Sequence, residues 1–178
     1  MPMKYILLVA AIFMLAPLTL FDFSSESNLS SWYIVNDTVM GGRSDASFEI
    51  NNEGHGFFKG HVSLENNGGF ASVRHQTKTL EISQYSAIKL KVKGDGNRYQ
   101  LRLQEDNYDR FSYIHYFETT GEWEEITITL KDFEPWFRGR YLQKPNFSGT
   151  KLDGLSILVG NKKEQNFELE IDNILLIK

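Results

Sequence analysis

Apolar and polar residues alternate with a period of two along almost every hydrophobic stretch of this chain. No segment after residue 24 keeps a 3.6-residue period. Ile88, Leu90 and Val92 alternate with Lys89, Lys91 and Lys93, and Phe167, Leu169 and Ile171 alternate with Glu168, Glu170 and Asp172. Successive side chains of a strand point to opposite faces, so each of these segments predicts a strand with one face in a core and the other in water. The same pattern predicts strands at 18–23, 32–35, 47–50, 57–64, 70–75, 99–104, 111–117, 126–130 and 155–159. The expected fold is all-β, a jelly-roll sandwich of two sheets. Gly94-Asp95-Gly96-Asn97 is expected to close a hairpin between 88–93 and 99–104, and Asn66-Asn67-Gly68-Gly69 a second tight hairpin. Lys131 to Thr150 has no regular pattern and is expected to be one long irregular loop.

The first residues follow a different rule. Lys4 precedes the apolar run Tyr5 to Ala16, which is the charged and apolar order of an export signal. Residues 1–17 are therefore expected to be a signal peptide, with an uncleaved membrane anchor through residues 5–21 as the alternative, and residues 18–178 a single sandwich domain. The expected location is exported, periplasmic or cell-envelope.

Composition removes several classes of function. The formal net charge is −4, and the alternating lysines are the solvated side of a strand, so nucleic acid is not an expected partner. Without cysteine there is no thiolate nucleophile and no Cys-type metal site. The four histidines form no HExxH spacing, and no G-x-S-x-G elbow marks a serine nucleophile. Neither a catalytic residue nor a cofactor is expected, and Asp37, Asp106 and Asp109 leave a structural calcium open.

What stands out is a set of polar, glycine-rich loops. Asn36-Asp37-Thr38-Val39-Met40-Gly41-Gly42-Arg43-Ser44 sets an acid, two glycines, a base and a hydroxyl where a strand should turn. Asp37 either contacts a ligand from an exposed turn or caps its own loop. In Glu65-Asn66-Asn67-Gly68-Gly69-Phe70-Ala71-Ser72-Val73-Arg74, the glycines and asparagines suit left-handed backbone, and Glu65 and Arg74 either pair across the hairpin or point into a shared cleft. Trp136-Phe137-Arg138-Gly139-Arg140 would put both guanidinium groups on one side if extended, a geometry that grips a carboxylate or phosphate. The candidate binding residues are thus Asp37, Arg43, Ser44, Glu65, Asn67, Arg74, Trp136, Arg138 and Arg140. Trp136, Tyr108 and Tyr141 are further candidates for stacking on sugar rings.

These segments, with Phe21-Asp22-Phe23, Trp32, Phe58-Lys59-Gly60 and Phe167-Glu168-Leu169-Glu170-Ile171-Asp172, resemble the complex I intermediate-associated protein 30 family in the right order along the chain. The resemblance implies a galactose-binding-like sandwich and a non-catalytic role in binding or assembling a protein complex. The alternative function is a carbohydrate-binding module of the cell envelope, which suits both the sandwich and an export signal.

Overall fold

Strand β13 (Gln165–Ile177) organises the first of two antiparallel sheets, and its sequence explains how. Phe167, Leu169 and Ile171 point inward at every second residue, and then the spacing slips by one to Ile174 and Leu176, all five essentially inaccessible to solvent. The register against the neighbouring strand shifts between Ile171 and Asn173, so a β-bulge absorbs the extra residue and returns the apolar side chains to the core.

The computed structural model describes residues 16–178. The other strands are β1 (Leu18–Asp22), β2 (Trp32–Asn36), β3 (Asp45–Ile50), β4 (Gly56–Val62), β5 (Ala71–Glu81), β6 (Ala87–Lys93), β7 (Arg98–Gln104), β8 (Ser112–Glu118), β9 (Trp123–Thr129), β10 (Glu134–Phe137), β11 (Arg140–Tyr141) and β12 (Lys151–Val159). One sheet runs β3-β4-β13-β6-β9, with β1 alongside the second half of β13. The other runs β11-β10-β8-β7-β12-β5-β2. The predicted all-β sandwich is therefore the observed one. Its core lies between the sheets, where Phe58, Val62, Leu90, Val92, Leu101 and Ile157 are fully buried. Each such side chain contributes about 1.5–3 kcal/mol relative to exposure.

Both predicted hairpins are corrected. β6 pairs with β13 and β9, whereas β7 pairs with β12 and β8, so Gly94 to Asn97 carries the chain from one sheet to the other. Asp95 fixes this crossing: its carboxylate accepts from the buried Tyr99 hydroxyl at 3.0 Å and from the Glu168 amide at 2.9 Å. Asn66 to Gly69 is likewise a crossing, from β4 to β5, with Asn66 and Asn67 in left-handed backbone at φ 56° and 59°. Period-two alternation reports which face of a strand is buried and not which strand lies beside it.

The segment from Lys131 to Thr150 is less irregular than its sequence suggests, because it holds β10 and β11. Arg138 (φ 48°) and Gly139 (φ 75°) make the two-residue turn between them, with Phe137 opposite Arg140. Leu18 to Phe21, the end of the apolar run considered for membrane association, belongs to β1. Of the predicted leader at 1–17, residues 1–15 lie outside the described residues. Among the described residues no helix is long and apolar enough to cross a membrane.

Candidate functional site

Asp37 is not the exposed turn carboxylate that its loop suggested. It opens a short 3-10 turn (Asp37–Met40) and is only 2% exposed. Its carboxylate accepts four hydrogen bonds: from the Ser44 amide (3.0 Å), the Ser44 hydroxyl, the Gly69 amide (2.6 Å) and the Phe70 amide (3.2 Å). Burial pushes its pKa up, but the donors from Ser44, Gly69 and Phe70 outweigh that and hold it below the ordinary value of 3.8. Ser44 is as buried as Asp37, and its oxygen also accepts from the Ser63 amide at 3.0 Å. The Asn66 side-chain amide donates to the Gly41 carbonyl at 3.1 Å, so the two glycine-rich loops form one braced unit. Held by these donors, Asp37 braces the loop from beneath.

The other predicted residues divide between two regions. Arg43 pairs with Glu65 at 2.9 Å on the surface of the braced loops, where Met40 and Leu64 are 73% and 42% exposed. The expected Glu65–Arg74 pair does not form, because the chain changes sheet between these residues and carries Arg74 onto β5. Asn67 supplies left-handed backbone to the crossing. Arg138 and Arg140 are exposed, but the tight turn removes the extended geometry expected for them, and Arg138 packs over the Phe137 ring at 5.4 Å. That turn lies beyond β8 at one margin of the seven-stranded sheet, whereas Asp37 follows β2 at the other. The registers also place them at opposite ends of the strands, so the third loop does not join the first two.

The register brings a different set together on the outer face of the seven-stranded sheet. Because Val73, Ile157, Leu101 and Leu103 point into the core, their strand neighbours point away from it. One rung across that face reads Tyr33, Arg74, Ser156, Arg102, Ile114 and Glu134. The rung beside it reads Val35, Ser72, Leu158, Gln100 and Tyr116. Trp136 lies on the same face, edge-on to Tyr141 with ring centroids 5.9 Å apart. The middle of the face is sunken: Ser72, Gln100 and Leu158 are buried although they point away from the core, and a depression of roughly 40 Å³ lies among Tyr33, Arg74, Arg102, Asn107 and Ser156.

Arg102 is held in place within this depression. Its Nε and Nη2 both donate to Gln100 Oε1, at 3.0 and 2.6 Å. Burial, and then the neighbouring Arg74 guanidinium, lower its pKa to about 10, which leaves it charged at neutral pH. Arg98 packs over the Tyr116 ring at 4.5 Å on the same face. Among the described residues, ion pairs to Asp or Glu form at Arg43 and at five lysines, but not at Arg74, Arg98 or Arg102. Alternation within 70–75 and 99–104 contained this face, but nothing in the sequence set β5, β12 and β7 side by side.

Tyr108 is almost fully exposed in the loop after β7. Beside the six-stranded sheet, Glu53 and His55 from the turn between β3 and β4 and Glu170 on β13 bring potential metal-ligand atoms within 4.8 Å of one another. Glu170 there already accepts from Asn51 at 2.8 Å and lies 3.6 Å from Lys93.

The sequence profile of the Complex I intermediate-associated protein 30 family matches residues 21–171. The chain belongs to that family. A Drosophila melanogaster relative, mitochondrial Complex I intermediate-associated protein 30, is 25% identical over 179 residues, covering 86% of this chain and 60% of its own length. The mouse protein of the same name is 22% identical, with 86% and 54% covered, so this member of the Complex I intermediate-associated protein 30 family spans a little over half of those relatives. Among solved structures, a family 11 carbohydrate-binding module from Clostridium thermocellum, in complex with a β-1,3-1,4-mixed-linked tetrasaccharide, superimposes with a TM-score of 0.65 at 19% identity, covering 90% of this chain and 95% of its own. An agarase superimposes with a TM-score of 0.62 at 12% identity, over 91% of this chain and 24% of its own. The Complex I intermediate-associated protein 30 family member thus shares its sandwich with carbohydrate-binding modules.

Proposed function

We propose that this chain is a non-catalytic binding module that holds a saccharide along the outer face of its seven-stranded sheet. The observation that carries the reading is the composition of that face. Aromatic rings stand towards both margins, Tyr33 on β2 and the Trp136–Tyr141 pair on β10 and β11, with planar polar side chains between them. Tyr33 and Tyr141 are about half exposed (46% and 50%), so their rings are free to stack on the C–H faces of sugars while arginine, glutamine and serine meet the hydroxyls. Such a ligand belongs to the cell envelope, which agrees with the export expected from the leader. Calorimetric titration with a panel of oligosaccharides tests the reading. Binding should be weakened by Trp136→Ala and by Tyr33→Ala with the β-sheet circular dichroism unchanged, and no saccharide binding at millimolar concentration would remove it.

A second reading follows the names of the relatives: a protein partner, such as an assembly intermediate. It is favoured by the exposed Met40 and Leu64 beside the Arg43–Glu65 pair, an apolar centre with a charged rim. Pull-down with the intact chain and with Met40→Asp separates the two, since loss of a defined partner in the variant points to the loops and not to the sheet.

A further inference from the structure

We infer that Arg74 and Arg102, with Ser156 between them, form an anion subsite in the outer face of the seven-stranded sheet, and that its ligand is an acidic saccharide, a sugar chain carrying carboxylate or sulfate groups. The inference rests on the saccharide reading above and names the ligand's charge. Arg74 and Arg102 both flank Ser156 in the register, which places their Cα atoms about 10 Å apart. Side chains of that length reach the same point above Ser156. Gln100, itself 7% exposed, holds Arg102 through Nε and Nη2 and leaves Nη1 unengaged. Two like charges half-buried side by side, with no carboxylate from the protein between them, are an arrangement that a bound anion relieves.

The rest of the face decides what carries the anion. The depression is lined largely by polar side chains, among them Arg74, Arg102, Asn107 and Ser156, which suit a carboxylate or hydroxyls better than an apolar peptide side chain. Glu134, opposite Ile114, and Glu118, opposite Arg98, oppose the continuous phosphates of a nucleic acid. Rings at the margins suit sugar residues on either side of a charged one.

The test is calorimetry on the full chain with four probes: an oligogalacturonide, a sulfated oligosaccharide, a cello-oligosaccharide of equal length and poly-glutamate. The expected result is that at least one acidic saccharide binds about tenfold more tightly than the neutral one, weakening as salt is raised. Arg74→Gln and Arg102→Gln should each remove that preference, while Lys89→Gln, on the other sheet, leaves it intact. Arg74 is half-exposed on the strand surface, so its variant tests the subsite even if Arg102→Gln disturbs the fold. Equal binding of neutral and acidic sugars, unchanged by Arg74→Gln, would overturn the subsite and leave the saccharide reading standing. Poly-glutamate binding as tightly as the acidic sugars would overturn the saccharide specificity, and failure of every sugar to bind would overturn both.

Discussion

A side-chain carbon placed on Gly42 would stand 2.4 Å from the carboxyl carbon of Asp37, and one on Gly68 would stand 2.6 Å from its Oδ2. The two glycines are therefore the space into which the carboxylate fits. Gly42→Ala should displace Asp37 from its donors and cost about 2–4 kcal/mol, the range of a disrupted buried hydrogen-bond network. Asp37→Asn should cost a comparable amount, since its amide NH₂ would face backbone N–H groups. Urea denaturation of both variants checks this, and a loss below about 0.5 kcal/mol would show that the brace is dispensable.

Acid should act on stability in two steps. His75, packed against Trp32 and Phe21, has its pKa lowered from 6.5 by burial. The unfolded chain therefore takes up this proton first, and stability begins to fall as pH drops through about 6.5. Asp37 is the depressed-carboxylate case: its stabilisation is present above its unfolded value of 3.8 and is lost as pH falls through the lower folded value. Denaturation midpoints measured across pH should show both limbs. His75→Phe should flatten the upper one and Asp37→Asn the lower one; unchanged limbs would rule out these groups as the cause.

The strands were legible because one face of each is wet, and alternation registers that directly. Their partners were not. Lys93 and Arg98 are separated by four residues that look like a hairpin turn, and only the need of Tyr99 and Glu168 for an acceptor on Asp95 shows why the chain crosses between sheets instead. The pairing of Arg43 with Glu65, and the meeting of Arg74 with Arg102 across Ser156, depend on the same unseen strand order. Asp37 illustrates the opposite limit, since its sequence neighbours allowed either a ligand contact or a brace and its partners at Gly69 and Phe70 lie more than thirty residues away.

Gly60 should be the least replaceable glycine in the sheet that contains it. It lies between β3 and β13, opposite Ala46 and Phe167, and a side-chain carbon there would meet the Asp45 carbonyl oxygen at 2.1 Å and the Ala46 Cα at 2.8 Å. Backbone cannot swing aside as a side chain can, so Gly60→Ala should push β3 away and cost about 2–3 kcal/mol. Gly121 is the control: its φ of +92° carries the conformational strain, but the space around it is open, and Gly121→Ala should cost only about 1 kcal/mol. Thermal or urea unfolding that ranks the two variants in the reverse order would contradict the close approach of β3 to β4.

The Arg43–Glu65 pair should matter little to the fold, whatever its role on the surface. Both side chains are more than half exposed, at 65% and 56%, so the contact gains little over hydration and is screened by salt. A double-mutant cycle with Arg43→Ala and Glu65→Ala should give a coupling of about 0.2–1 kcal/mol that shrinks as salt is raised. The loops should stay in place in both variants, because their geometry is set by the buried Asp37 and Ser44 beneath the pair. If the coupling exceeded about 2 kcal/mol, or if losing Arg43 moved the acid limb assigned to Asp37, the pair would be part of the brace. If neither happens but either single variant releases a protein captured by the intact chain, the exposed loops are where that partner docks.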